Sequence, residues 1–322
     1  MSGPVLGLHS RAMSLLIDSI GAVYLAAQGF ESELAHELGA DALSLGGGLW
    51  ATVDPPRPVA WAQNIWLQPE IIPVASIGQA VKELKARGRN WAGLAFHLHR
   101  RTQLILDQLP KVSAKPLVFP SPAPTAPMGA FALLETGTLL ASPRTSSPFT
   151  NGEAKFVEDR ANPPNRAYLK LWEALTRIRN YPQPGEVCLD LGASPGGWTW
   201  VLAGLGASVT AIDKAPLDPK IAALPNVTCR QDNAFALDPK IFGPVDWLCS
   251  DVICYPERLL ELIERWQGMA RNFVITIKLQ GETDHAVIER FRLFPGSRIV
   301  HLFHNKHELT WIASKDPLPD YL

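Results

Sequence analysis

Cysteine is scarce in this chain: four residues in 322, at positions 188, 229, 249 and 254. No two of them form a Cys-x-x-Cys pair, so neither a zinc site nor a disulfide framework is indicated. Buried free thiols are the expectation, which fits a reducing cytoplasm. A surplus of charge is missing too. The formal net charge is −1, so no global field marks a nucleic-acid binder and any basic surface must be local. Long apolar runs are also absent. None reaches the ~20 residues of a membrane-spanning helix, and the N-terminus, broken by Asp18 and Gly21, has no cleavable signal pattern. What is present is apolar mass: 47% of residues are hydrophobic against 19% charged. A chain of this length and composition can bury the cores of two or three domains.

The most informative stretch is Asp190-Leu-Gly-Ala-Ser-Pro-Gly-Gly-Trp-Thr199. A short apolar strand runs into Asp190, and a helix follows from Trp198 with Gly206 as its stop. Gly192, Gly196 and Gly197 with Pro195 let the backbone turn sharply and approach a ligand. The spacing is not the Gly-x-Gly-x-x-Gly of a dinucleotide site, and a carboxylate at the strand end would repel a diphosphate. It suits a cationic ligand such as S-adenosylmethionine.

Before this stretch the pattern is one of short alternating elements. Residues 1–20 have no decisive pattern and are expected to be partly disordered. Strands are expected at Ala22–Ala27, Ala42–Leu45, Leu49–Val53 and Trp61–Trp66, with helices at Glu31–Leu38 and Ile77–Ala86. That is the rhythm of a small ferredoxin-like α+β domain. Eight basic residues follow (Lys82, Lys85, Arg87, Arg89, Arg100, Arg101, Lys111 and Lys115), opposed only by Glu83 and Asp107. His97 and His99 alternate on an expected strand, Leu94–His99. With Trp91 nearby to stack on a base, this region suits contacts to RNA phosphates; a solvated helix face accounts for the charges equally well. Lys115–Met128 holds five prolines and is expected to be a stiff linker or edge segment. Phe131–Glu135 and Thr138–Ser142 flank Thr-Gly and form a hairpin.

The second half reads as repeated βαβ units, hence a parallel sheet covered by helices. An amphipathic helix over Arg166–Leu175 carries Lys170. Strands are expected to end at Asp190, Asp213, Arg230 (followed by Asp232), Asp251 and Lys278. An antiparallel pair, Arg298–Phe303 and Glu308–Ala313, closes the sheet. Ligands of such sheets lie at the strand carboxyl ends, where Asp190, Asp213, Asp251 and Lys278 would converge. Each residue alone has a plainer reading: Lys170 as a solvated helix lysine, Asp251 as a helix cap, Glu308 as a hairpin residue, Trp198 as core.

Taken together, these residues resemble the FtsJ-type ribose 2′-O-methyltransferases. The carrying motifs are Asn-Arg-Ala-Tyr-Leu-Lys170-Leu, the Asp190–Thr199 turn, Ser-Asp251-Val, Ile-Lys278-Leu and His-Glu308-Leu-Thr. The chain is also similar to the RlmM group, which acts on a cytidine ribose of bacterial 23S rRNA, through Ser147-Pro-Phe and Gln28-Gly-Phe-Glu-Ser-Glu33. The resemblance implies a Rossmann-like α/β sheet with an antiparallel last strand over residues 143–322, a ferredoxin-like domain over 1–75 and a THUMP-like RNA-binding region over 76–142. It implies S-adenosylmethionine as cofactor, held by Asp190, Gly192, Ser194, Pro195, Gly196, Gly197, Trp198, Asp213, Asp232 and Asp251. Catalysis would fall to Lys278 as base with Lys170, Asp251 and Glu308, and no metal would be needed. A lysine base needs a lowered pKa, from burial or a second cation. RNA is the implied partner, most specifically 23S rRNA. The alternatives are another RNA such as tRNA, or a silent cofactor- and RNA-binding assembly factor. The oligomeric state is left open.

Overall fold

The computed structural model describes residues 19–113 and 115–321. The stretch 1–18, where disorder was expected, lies outside them. Contacts divide the chain into two compact units. The first runs to Lys115 and resumes over Pro124–Ala154; the second comprises Pro116–Ala123 and Lys155–Asp320.

The first unit holds two four-stranded sheets. One contains β1 (Ala22–Ala26), β2 (Leu43–Gly46), β3 (Leu49–Thr52) and β4 (Ala62–Trp66), in the order β2-β3-β1-β4, antiparallel throughout. Helix α1 (Glu31–Leu38) joins β1 to β2. Between β2 and β3, Gly46, Gly47 and Gly48 all take positive φ, a conformation that costs only glycine nothing. The βαββαβ rhythm is incomplete. The link from β3 to β4 carries no helix, because Pro55, Pro56 and Pro58 cannot donate to one. Instead the Glu37 carboxylate of α1 accepts the N–H groups of Ala60 and Trp61 at 2.7 and 3.0 Å and straps this link down.

The other sheet contains β5 (Glu70–Pro73), β6 (Trp91–Gly93), β7 (Gly129–Glu135) and β8 (Thr138–Ser142), ordered β5-β8-β7-β6, with α2 (Ile77–Arg87) and α3 (His99–Leu106). The β7–β8 hairpin turns at Thr136-Gly137 as expected. Alternate residues on a strand face opposite ways, and β7 uses this by size. Ala130 and Ala132 pack against the first sheet. Phe131 and Leu133 pack among Val81, Leu84 and Ile105 of the helices.

Two expectations here are corrected and a third is narrowed. Leu94–His99 is not a strand: β6 stops at Gly93, Leu98 turns through a left-handed φ of 51°, and His99 opens α3. His97 rests its Nε2 against the Leu134 carbonyl at 3.0 Å. Trp91 offers no stacking face, since it is buried and donates its indole N–H to Gly88. Of the two readings of the proline-rich segment, the stiff linker gives way to the edge segment: Leu117 forms a parallel bridge with Phe156. The Pro116–Ala123 piece belongs to the second unit, where Phe119 stacks on Trp172 with ring centroids 4.8 Å apart.

The second unit is built on a seven-stranded sheet: β9 (Val187–Leu191), β10 (Ser208–Asp213), β11 (Val227–Gln231), β12 (Val245–Ser250), β13 (Ala270–Lys278), β14 (Ser297–Val300) and β15 (Glu308–Ser314). The order is β11-β10-β9-β12-β13-β15-β14, parallel except that β15 runs against both neighbours. This is a Rossmann-like α/β sheet. Its helices are α4 (Tyr168–Ile178), α5 (Gly197–Gly204), α6 (Pro219–Ala222), α7 (Pro239–Phe242), α8 (Pro256–Trp266) and α9 (His285–Arg292). The inner strands are apolar because both faces are covered. Helix α8 buries Leu259, Leu260, Leu262, Ile263 and Trp266, one stripe at helical spacing. The exception is the edge strand β11, which leaves Cys229 exposed, so only three of the cysteines are buried. The chain leaves β9 toward β10 on one side and later returns to β12 on the other. That reversal point between β9 and β12 is where such sheets open a ligand crevice.

Candidate active site

Four charged side chains meet at the carboxyl ends of the central strands. Asp251 lies one residue past β12, Lys278 is the last residue of β13, and Glu308 is the first of β15. The antiparallel register sets Lys278 directly opposite Glu308. Lys170 comes from the first turn of α4. The Lys170 ammonium bonds both Asp251 oxygens, at 2.6 and 2.8 Å, and stands 3.0 Å from Glu308 Oε1. Lys278 Nζ lies 2.7 Å from Asp251 Oδ1 and 2.6 Å from Glu308 Oε2. The result is a closed ring of alternating charge, two ammonium groups and two carboxylates. It is mostly shielded: side-chain exposure is 8–9% for Lys170 and Glu308 and 18% for Asp251 and Lys278.

Ions taken out of water need this kind of mutual pairing to persist. The consequence for Lys278 differs from the expectation of a lowered pKa. Burial does push its ammonium down, and it is the largest single influence. Asp251 and Glu308, each attracting and hydrogen-bonding it, together outweigh burial and raise the pKa above the ordinary lysine value. Lys278 is therefore an ammonium in the ring as it stands.

The glycine turn sits beside this ring. Gly192 (φ 73°) and Gly196 (φ 115°) adopt conformations that favour glycine. A side chain at Gly192 would run into Val252, and one at Gly197 into Asn165. The turn is pinned to its surroundings: Asp213 accepts the Ser194 and Ala215 N–H groups at 3.0 and 2.9 Å, and Ser194 Oγ donates to the Pro216 carbonyl at 2.9 Å. Asp213 is half-buried, Asp232 and Pro195 are exposed, and Gly192 and Ser194 keep partial access. Asp232 meets Arg230 at 3.3 Å.

Four of the candidate cofactor residues, Asp190, Gly196, Gly197 and Trp198, are buried. Asp190 is fully buried and accepts the Thr199 hydroxyl at 2.6 Å. Burial pushes its carboxyl up to about 7, so it braces the turn onto α5 from beneath. Trp198 is also buried and donates its indole N–H to Ala167 at 2.9 Å; it is core. Sequence reasoning missed Thr199 and Ser250. Ser250 Oγ donates to the Leu191 carbonyl at 2.9 Å and ties β12 to β9 beneath the crevice. A hydroxyl in an otherwise apolar strand just before Asp251 was the available signal. Among the described residues, no group of three or more His, Cys, Asp or Glu side chains could hold a metal ion.

Residues 163–305 match the FtsJ-like methyltransferase family. The chain is 38% identical over 165 residues to ribosomal RNA large subunit methyltransferase M of Halorhodospira halophila, covering 48% of each. It is 32% identical over 185 residues to the protein of the same name from Methylococcus capsulatus, covering 52% of each. The chain thus spans about half the length of the curated relatives it matches. Among solved structures, a fibrillarin pre-rRNA processing protein from Methanococcus jannaschii aligns over 46% of this chain and 75% of its own, with 20% identity and a TM-score of 0.36.

Proposed function

We propose, from the match of residues 163–305 to the FtsJ-like methyltransferase family, that this chain transfers a methyl group from S-adenosylmethionine to a ribose 2′-hydroxyl of RNA, with a cytidine of 23S rRNA as the acceptor and the cytoplasm as the setting. The observation that carries the reading is the closed Lys170–Asp251–Lys278–Glu308 ring beside a glycine turn.

The donor set suits this cofactor. Asp213, Asp232 and Asp251 lie along one edge with access to solvent, and carboxylates accept from hydroxyls and attract a cation. Asp213 would receive ribose hydroxyls, Asp232 would meet the adenine amine, and the backbone at Gly192, Ser194, Pro195, Gly196 and Gly197 would let the ligand approach. When bound, the cofactor supplies a methyl group on a positively charged sulfur.

The chain's own residues then handle a proton. A 2′-hydroxyl must lose it as the oxygen attacks. Lys278 is the base in this reading; through its solvent-accessible face it must first release to bulk water the proton that Asp251 and Glu308 now hold on it, and it then takes up the hydroxyl proton in its place. A cation beside Asp251, or loss of water from the crevice, weakens that hold. Lys170 orients the ribose oxygen, and the two carboxylates keep both lysines in place. Holding hydroxyl and methyl at attack distance supplies up to about 7–11 kcal/mol, and proton transfer adds ~10²–10⁴-fold.

The first unit would hold the RNA. We read it as ferredoxin-like followed by THUMP-like, supported by the β2-β3-β1-β4 order and by exposed Lys82, Lys85, Arg89 and Arg100. Arg87 is not part of that surface, since Glu70 and Glu83 bind it at 2.9 and 2.6 Å. The test is methyl transfer from labelled cofactor to 23S rRNA and to bulk tRNA, followed by mapping. The expected mark is alkali-resistant, on the ribose of one 23S rRNA cytidine. A mark on tRNA would redirect the substrate, and a mark on a base would overturn the chemistry.

A further inference from the structure

Three members of the charged ring, Asp251, Lys278 and Glu308, lie at the ends of neighbouring strands of one sheet, where ladder bonds fix their spacing. Lys170 arrives on a helix, and its long side chain needs an anchored backbone to hold one place. The anchor lies three residues further on, about 4.5 Å along the same helical face. Glu173 is fully buried. Its Oε1 accepts the Phe303 N–H at 2.9 Å and Arg177 Nε at 2.8 Å, and its Oε2 accepts the His304 N–H at 3.1 Å.

Phe303 and His304 belong to the turn from β14 to β15, which leads directly into Glu308. That turn is stiffened on its other side. Asn305 Nδ2 donates to the Glu308 carbonyl and to Thr310 Oγ1, each at 3.1 Å, and His301 Nε2 lies 2.8 Å from the Lys306 carbonyl. A loop of fixed groups therefore runs from Lys170 along α4 to Glu173, across to the turn, down to Glu308, and back to Lys170 over 3.0 Å. Apolar packing could join a helix to a turn more cheaply than a buried carboxylate, whose desolvation is costly. What a carboxylate adds is direction: two consecutive N–H groups fix both its oxygens.

We propose that Glu173 is a positioning residue for the transfer, a clamp that sets the height of Lys170 against Glu308 without touching substrate. The proposal rests on the reading of the ring as the catalytic group. A double-mutant cycle on the full chain, with transcribed 23S rRNA as acceptor, tests it. Glu173→Gln should lower kcat by up to about 10²-fold, with KM values and cofactor affinity little changed, and Glu173→Asp should fall between it and wild type. In a Lys170→Ala background, Glu173→Gln should cost nothing further, because the group it positions is gone. Should Glu173→Gln fail to fold by thermal melting, Glu173→Asp carries the cycle. Undiminished kcat, or the same fold-loss in both backgrounds, would overturn the clamp while the catalytic ring stands. Full activity in Lys170→Ala would instead remove the catalytic reading, and the clamp with it.

Discussion

The two halves of the strand-end crevice are charged in different ways. On the β12–β13–β15 side, each carboxylate is touched by both lysines, and the group is balanced without any ligand. On the β9–β10–β11 side, among the described residues, Asp190 and Asp213 are met by hydroxyl and N–H donors, and Asp232 by a loose, half-exposed arginine. A self-balanced half can hold its geometry before substrate arrives, which is what positioning a reactive oxygen requires. With Asp190 buried beneath the turn, Asp213 and Asp232 are the carboxylates of this half that keep access to solvent and could receive a cation. In the proposed reading the difference divides the labour: one side would manage a proton, and the other would bind a positively charged donor.

Three changes sharpen this contrast. The largest is expected from Asp213→Ala, which removes the acceptor holding Ser194 and Ala215. Lost hydrogen bonds to a charged group are worth about 1.5–3 kcal/mol, so cofactor affinity should fall by roughly 10–100-fold in titration calorimetry while kcat at saturation stays near wild type. Glu308→Gln acts on the balanced side. It removes one of the attractions that raise Lys278 while burial continues to lower it. The rising limb of the rate against pH should move to lower pH by about 1–3 units, and an unmoved limb would exclude Lys278 as the titrating base.

The smallest effect on activity is expected at Asp190, where the change is in stability. Its folded pKa of about 7 lies above the unfolded value of 3.8. The native state therefore binds the extra proton, and stability falls as pH rises from about 4 to about 7. Asp190→Asn should erase that slope in melting curves collected across the window. A slope that survives would mean that the carboxyl is not the group responsible.

Much of this was legible in the sequence because it is local or periodic. Val245–Ser250 and Ala270–Lys278 announce themselves as apolar runs stopping at charge, whereas β9, expected to end at Asp190, runs on to Leu191. Residues standing at strand ends in a parallel sheet must share an edge, which is why Asp251 and Lys278 could be paired over a long stretch of chain. The depth of a side chain was not legible. Asp190 and Trp198 follow the same motif as exposed Pro195, and only packing against Thr199 and Ala167 sends them inward. The sign of the Lys278 shift was also hidden, since it depends on two carboxylates from different strands outweighing burial. In the first unit, Leu94–His99 has strand composition, yet its neighbour β7 stays paired with β6 only as far as Gly93.

The proposed proton-handling side of the crevice should be separable from the proposed donor-binding side. Single-turnover methyl transfer by Lys278→Ala, measured together with its affinity for S-adenosylmethionine, makes that separation directly. The rate should drop by ~10²–10⁴-fold with cofactor affinity essentially preserved; a rate equal to wild type would contradict the assignment.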